Sequence, residues 1–219
     1  SGAFAAWLAN NGGASASDVC SGVTWTNDST GLSDDCGATG TETVTFTATD
    51  ACGNFTTTTA TFTIEDTANP TMDVAASDST VECDGTSDPS GAFAAWLANN
   101  GGASASDACS GVTWTNDSTG LSDLCGATGT ETVTFTATDE CGNATSTTAT
   151  FTIVDTTNPT MDVAASDSTV ECDGTADPSG AFAAWLSTNG GASASDVCSG
   201  VTWTNNSTGL SDLYGATGT

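Results

Sequence analysis

Threonine alternates with apolar residues through Thr43-Val44-Thr45-Phe46-Thr47-Ala48-Thr49, and again through Thr59-Ala60-Thr61-Phe62-Thr63-Ile64. Alternation of period two predicts strands with one face buried and the other wet. The pattern returns downstream, with Val133, Phe135 and Ala137 on one predicted inner face and Ala149, Phe151 and Ile153 on another. Between those two runs, Asp139-Glu140-Cys141-Gly142-Asn143 supplies a turn and makes the pair antiparallel. Shorter strands fit residues 71–76, 80–83 and 112–116. One helix interrupts them: Asp88-Pro89 caps and starts it, Phe93, Trp96 and Leu97 form one apolar face, and Gly101-Gly102 stops it. A segment this short is unstable alone, so the face is read as core packing rather than a cofactor site. Several short strands in so few residues is the pattern of an all-β, immunoglobulin-like sandwich with one short inserted helix.

The pattern recurs because the sequence does. The string Ser1-Gly2-Ala3-Phe4-Ala5-Ala6-Trp7-Leu8 returns at Ser90 and at Ser179, a period of 89 residues. Each unit is large enough to be a small domain with its own core, unlike the short units of a solenoid. Asp66-Thr67-Ala68-Asn69-Pro70 and Asp155-Thr156-Thr157-Asn158-Pro159 follow the last strand of one unit and precede the first of the next. One complete domain therefore spans residues 67–155. Residues 1–66 read as the later part of a preceding domain and residues 156–219 as the beginning of a third, so the chain reads as a piece of something longer.

Charge narrows the function. The 219 residues hold 27 Asp and Glu, no Lys, no Arg and no His, for a formal charge of −27. No side-chain ion pair can form. Nucleic acid is excluded as a partner, because phosphate binding runs on Lys and Arg, and an anionic membrane surface repels such a chain. No stretch has the apolar length of a membrane span. General-base chemistry has neither His nor Lys, and no phosphate-binding loop is present. Paired carboxylates alone can hydrolyse glycosides, but here they are scattered at turns and copied in every unit. The chain is read as not an enzyme.

The nine cysteines also follow the period. Cys83, Cys109, Cys125 and Cys141 make one set, with Cys20, Cys36 and Cys52 before it and Cys172 and Cys198 after it. With no His and no paired Cys-x-x-Cys spacing, disulfides in an oxidising compartment are favoured over zinc. Tyr214 stands where the period calls for a cysteine, so the partner of that position is expected to be a free thiol or cross-linked elsewhere.

The string from Thr132 to Asn143, a final strand, and then Asp155-Thr156-Thr157-Asn158-Pro159 resembles the hyalin repeat (HYR). More narrowly it resembles the hyalin-like tandem repeats of giant cell-surface adhesins of Bacteroidota, including gliding-motility adhesins. The resemblance covers every unit; the helix after Glu82-Cys83-Asp84-Gly85 departs from the generic repeat. It implies an immunoglobulin-like sandwich, export to the cell surface, and an adhesive or spacer role. The expected function is a stalk or filament region of a secreted adhesin. Binding to cell surfaces or extracellular polysaccharide would use other parts of the chain, and lateral self-association stays open.

In the frame that this resemblance implies, Cys83 and Cys125 fall at one end of a domain and Cys109 and Cys141 at the other. The implied bridges are Cys83–Cys125 and Cys109–Cys141, with Cys20–Cys52 as the counterpart of the second. The frame also places Asp66, Asn69, Asp107, Asp139, Asn143 and the next linker's Asp155 at domain junctions, hard oxygen donors that suit Ca²⁺. The plainer reading is that Asp and Asn serve turns and caps. Asn27, Asn116 and Asn143 open Asn-x-Ser/Thr patterns, and Ser29, Ser79, Ser118 and Ser168 fit the Asp-Ser/Thr-x pattern of O-glycosylation in Bacteroidota. Two other functions remain. One is a multivalent array in which each repeat grips a glycan or another surface through a Ca²⁺ site; Trp25, Trp114 and Trp203 would discriminate, since aromatic rings stack on sugars, and the strand pattern places them in the core. The other is an ice-binding threonine face, which ordinary sheet alternation explains equally well.

Overall fold

The computed structural model describes residues 2–122 and 124–211. Two compact units emerge, one of residues 1–76, 102–116 and 134–147, the other of residues 77–101, 117–133 and 148–219. The fold is all-β with short helices, as the alternation predicts.

In the first unit, β1 (Thr24–Asn27), β2 (Gly40–Thr49) and β3 (Phe55–Ile64) form an antiparallel sheet in the order β1-β2-β3. Its register sets Val44 against Ala60 and Thr43 against Thr61. Alternation then sorts the faces: Val44, Phe46 and Ala48 are buried, while Thr43 and Thr61 share a hydrogen bond of 2.8 Å on the other side. Such cross-strand pairs are the unit of sheet stabilisation. The same unit pairs β4 (Thr71–Val74) with β6 (Ser104–Ser106), a short strand that the sequence pattern does not announce.

The second hairpin, β8 (Gly129–Asp139) and β9 (Ala144–Val154), contributes residues to both units. β7 (Val112–Asn116) runs antiparallel to β8, and β5 (Ser79–Glu82) runs parallel to the end of β9, giving the order β5-β9-β8-β7. An initial strand split between two sheets, beside an antiparallel three-strand core, is an immunoglobulin-like arrangement. β10 (Thr160–Val163) and β11 (Ser193–Ser195) repeat the β4–β6 pair one period later.

Helices α1 (Gly2–Ala9), α2 (Ala92–Ala98) and α3 (Ala181–Ser187) recur with the period. The cap differs from the simple one expected. Pro89–Gly91 forms a tight turn with Ser90 at φ 55°, so Asp88 accepts hydrogen bonds from the N–H groups of Phe93 (2.7 Å) and Ala94 (3.2 Å) instead of from nearer positions. The apolar face does pack: Phe93 and Trp96 meet Phe151 at ring-centroid distances of 5.2 and 5.5 Å. Cys83, Phe93, Phe151, Ile153 and Cys198 form one buried cluster.

Phe151→Ala is expected to destabilise by about 3–5 kcal/mol, because it empties the cavity that α2 closes. Asp88→Ala should remove about 1 kcal/mol through the lost cap. Urea unfolding followed by tryptophan fluorescence checks both.

Candidate functional site

The chemistry that distinguishes this fold lies in its cysteines. Cys36 is bonded to Cys141 and Cys83 to Cys198, with Cα separations of 5.3 and 6.0 Å. Cys20, Cys52, Cys125 and Cys172 are free and exposed, and Cys109 is free and half-buried. This corrects the pairings Cys83–Cys125, Cys109–Cys141 and Cys20–Cys52. Each observed bond joins one repeat to the next. The bonded cysteines are 105 and 115 residues apart, more than one period, yet each pair lies within a single compact unit.

A short loop makes the approach. In Cys36-Gly37-Ala38-Thr39, the Thr39 hydroxyl accepts from the Cys36 N–H (3.1 Å) and donates to the Cys36 carbonyl (2.6 Å). The closed loop presents the N–H of Ala38 to the Cys109 carbonyl (3.0 Å), and that of Gly37 to Glu140 Oε2 (2.9 Å). Gly37 has φ 56°, and a Cβ there would come within 2.6 Å of the Cys109 carbonyl oxygen. Only glycine fits that position. One period on, the loop is repeated: Cys125 N–H donates to Thr128 (3.2 Å) and Ala127 N–H to the Cys198 carbonyl (2.8 Å). Sequence reasoning missed these glycines and threonines, although the string Cys-Gly-Ala-Thr-Gly at Cys36 and Cys125 is the signal that marks them.

The expected metal ligands separate into groups. Asp66, Asp107 and Cys109 place ligand atoms within 4.8 Å of one another. Asp66 Oδ2 is buried with no hydrogen-bond partner, while Asp107 Oδ1 accepts from the N–H groups of Cys109 (2.8 Å) and Ser110 (3.1 Å). Asp139 is turned onto Asn143, whose backbone and side-chain nitrogens donate to its two oxygens at 2.8 Å each. Asn143 also donates to the Asp66 carbonyl (3.2 Å). Asn69 is exposed. Asp155, the counterpart of Asp66, lies beside the bonded pair Cys83 and Cys198.

Without cations, the carboxylates are held by N–H and O–H donors. Burial raises the Asp139 carboxyl, but the Asn143 hydrogen bonds outweigh it and hold the group below its usual range. Burial likewise opposes Glu131, and donors from Ser118, Thr119 and Gly120 pull it down. Donors from Thr156 and Thr157 lower Glu82. The Cys109 thiol moves the other way: burial first, then the charges of Asp66, Asp107 and Asp139, push it above the ordinary thiol value.

The expected modification sites differ in access. Ser29 and Ser118 donate their hydroxyls to Glu42 (2.7 Å) and Glu131 (2.8 Å). Ser79 is half-buried in β5, and Ser168 is exposed. Trp25 and Trp114 lie opposite Ala48 and Ala137 but are half-buried rather than core, and Trp203 is exposed. A cavity of about 540 Å³ is lined by Ser168, Pro178, Phe182, Trp185 and Leu210. Phe93 and Trp96, the counterparts of Phe182 and Trp185 one period earlier, close on Phe151. Tyr214 lies outside the described residues.

No protein-family model matches the chain, and no curated protein matches it in sequence. Among solved structures it is similar to mouse clustered PcdhgC3 EC1-3 (14% identity, TM-score 0.28, covering 59% of this chain and 48% of that one). It is also similar to protocadherin gammaB7 EC3-6 in a cis-dimer structure (15%, 0.27, 70% and 46%) and to human CDH23 EC21-23 (16%, 0.30, 73% and 55%). The chain spans about half the length of these structures.

Peptic peptide mapping without reductant should recover Cys36–Cys141 and Cys83–Cys198; trypsin has no site here. Recovery of Cys83–Cys125 instead would overturn the observed pairing. Glu131 has a lowered folded pKa, so its contribution is full above the ordinary carboxylate range of about 4 and is lost as pH falls through the folded value. The stability difference between wild type and Glu131→Gln should therefore be present at neutral pH and shrink as pH falls below the ordinary carboxylate range, measured by urea midpoints.

Proposed function

We propose that this chain is a stretch of a covalently coupled extracellular stalk, built from hyalin-like repeats of the kind found in giant Bacteroidota surface adhesins. The observation that carries this reading is that both disulfides join one repeat to the next rather than closing a repeat on itself. Such bonds persist in oxidising, extracytoplasmic compartments. Among the described residues no helix is long and apolar enough to cross a membrane. A bond between repeats sends tension past the linker, which suits a load-bearing element rather than a catalyst. Strands of 11 residues make each repeat roughly 36 Å deep, so copies add length with little sequence novelty. High negative charge keeps neighbouring copies soluble and apart. Adhesion itself belongs to other parts of the protein, and O-linked sugar at Ser168 would shield an exposed segment.

Asp66 and Asp107 fit a divalent cation as two hard oxygen donors, and the orphaned Asp66 Oδ2 would gain a partner from it. Bound there, Ca²⁺ would supply local charge neutralisation and a stiffer junction. The wider set does not close into a cage, because Asp139 and Asn143 satisfy each other. The glycan-binding alternative draws on the partial exposure of Trp25 and Trp114; quenching of tryptophan fluorescence by added oligosaccharide would favour it.

Pulling the oxidised chain from its two ends tests the stalk. The covalent path through Cys83–Cys198 limits extension to roughly 350 Å, against roughly 740 Å after reduction. Equal extensions in both states would rule out coupling. If the cation reading holds, Ca²⁺ raises the melting temperature relative to chelator and Asp66→Asn abolishes the difference.

A further inference from the structure

Each junction between repeats shows one disulfide, and the two junctions show different ones. At the first, Cys36 is bonded to Cys141 while Cys109 is free; at the second, Cys83 is bonded to Cys198 while Cys125 is free. One period relates Cys36 to Cys125 and Cys109 to Cys198. Each free cysteine is therefore the counterpart of a bonded one.

The surroundings match as well. Asp107 Oδ1 holds the N–H groups of free Cys109 (2.8 Å) and Ser110 (3.1 Å), as Asp196 Oδ1 holds those of bonded Cys198 (2.8 Å) and Ser199 (2.9 Å). Asp66 flanks Cys109 as Asp155 flanks Cys198. Free Cys125 sits in the loop conformation of bonded Cys36, each backbone N–H donating to a threonine hydroxyl (3.2 and 3.1 Å). That loop docks on the Cys198 carbonyl through Ala127 (2.8 Å), as the other docks on the Cys109 carbonyl through Ala38 (3.0 Å). Both cysteines are thus presented as their bonded counterparts are. Their partners' positions, one period before Cys83 and one period after Cys141, are not in this sequence.

We propose that a complete junction between successive repeats carries two disulfides side by side, and that all four cysteines of a full repeat bond to its neighbours. Cys109 and Cys125 are cross-linking sites for the preceding and the following repeat. Each bridge forms when a thiol pair gives up two protons and two electrons to a disulfide oxidant, which leaves as two thiols. The arrangement makes a ladder: the short covalent route that continues unchanged from repeat to repeat is the segment from Cys125 to Cys141. That segment extends to about 55 Å, against about 300 Å for a whole repeat. In this frame Tyr214 removes one of two bridges from its junction and leaves Cys172 unaffected. The cross-linking pattern stands whether or not the array serves as a stalk.

The test inserts one further copy of residues 67–155 between Asp155 and Thr156, marked by Leu124→Ala and Ser146→Thr so that its peptides can be told apart. Both chains are refolded in oxidised and reduced glutathione, alkylated at acid pH and digested with pepsin. The 219-residue chain should show its five free cysteines. The longer chain should also show five, although it has gained four cysteines, and unmarked Cys125 should emerge linked to the marked Cys141 peptide. Cys141→Ser in the inserted copy should then raise the count to six and release Cys125 of the repeat before it. Cys36–Cys141, recovered from the same digests, reports that the chain has folded. Linkage of Cys125 to Cys141 of its own repeat, or Cys125 left alkylated in the longer chain, would overturn the proposal.

Discussion

A chain with 27 carboxylates and no cationic side chain must find other partners for its negative charge. The structure finds them in backbone N–H groups and hydroxyls. Glu42 and Glu131 each gather a serine hydroxyl and the N–H groups of a Thr-Gly turn, and Glu82 fastens Thr156 and Thr157 after β9. Asp50 and Asp139 close the hairpin turns through Asn54 and Asn143. These charge-assisted bonds are stronger than neutral ones, and they fix loops that would otherwise be held by ion pairs. They do not remove the net charge, so mutual repulsion remains and the fold needs a further source of cohesion.

Apolar burial supplies one source. The innermost positions of β2, β8 and β9 are filled by Val, Phe, Ile and Ala, and the opposite faces carry threonine ladders rather than a second apolar layer. The disulfides add to it. They close spans of 105 and 115 residues, for which chain-entropy reasoning gives about 4–5 kcal/mol each. That is comparable with the whole stability of an ordinary small domain. The two spans interleave along the chain, with Cys83 between Cys36 and Cys141 and Cys141 between Cys83 and Cys198.

Near-identical tandem domains risk swapping elements during folding. Cross-links between repeats make the order of folding matter, since a bond such as Cys36–Cys141 requires the β8–β9 turn to be in place. The half-buried Cys109 thiol, raised above its ordinary value, is a slower nucleophile than an ordinary thiol at neutral pH.

The sequence by itself determined the strands, the helix and the period. Val133, Phe135 and Ala137 are buried because alternation of period two leaves a sheet no other way to hide them, and the Asp139–Asn143 turn is written in its residue types. Local patterns of this kind act within a few residues and are legible wherever they occur. The short strand β6, the displaced cap at Asp88 and the half-exposure of Trp25 and Trp114 were decided by packing. So was the partner of every cysteine. Near-identical repeats place matching cysteines along the chain, and their spacing cannot say whether Cys141 meets Cys109 of its own repeat or Cys36 of the one before. Only the docking of the Cys36–Thr39 loop on the Cys109 carbonyl, which requires glycine at Gly37, brings the bonded pair within reach.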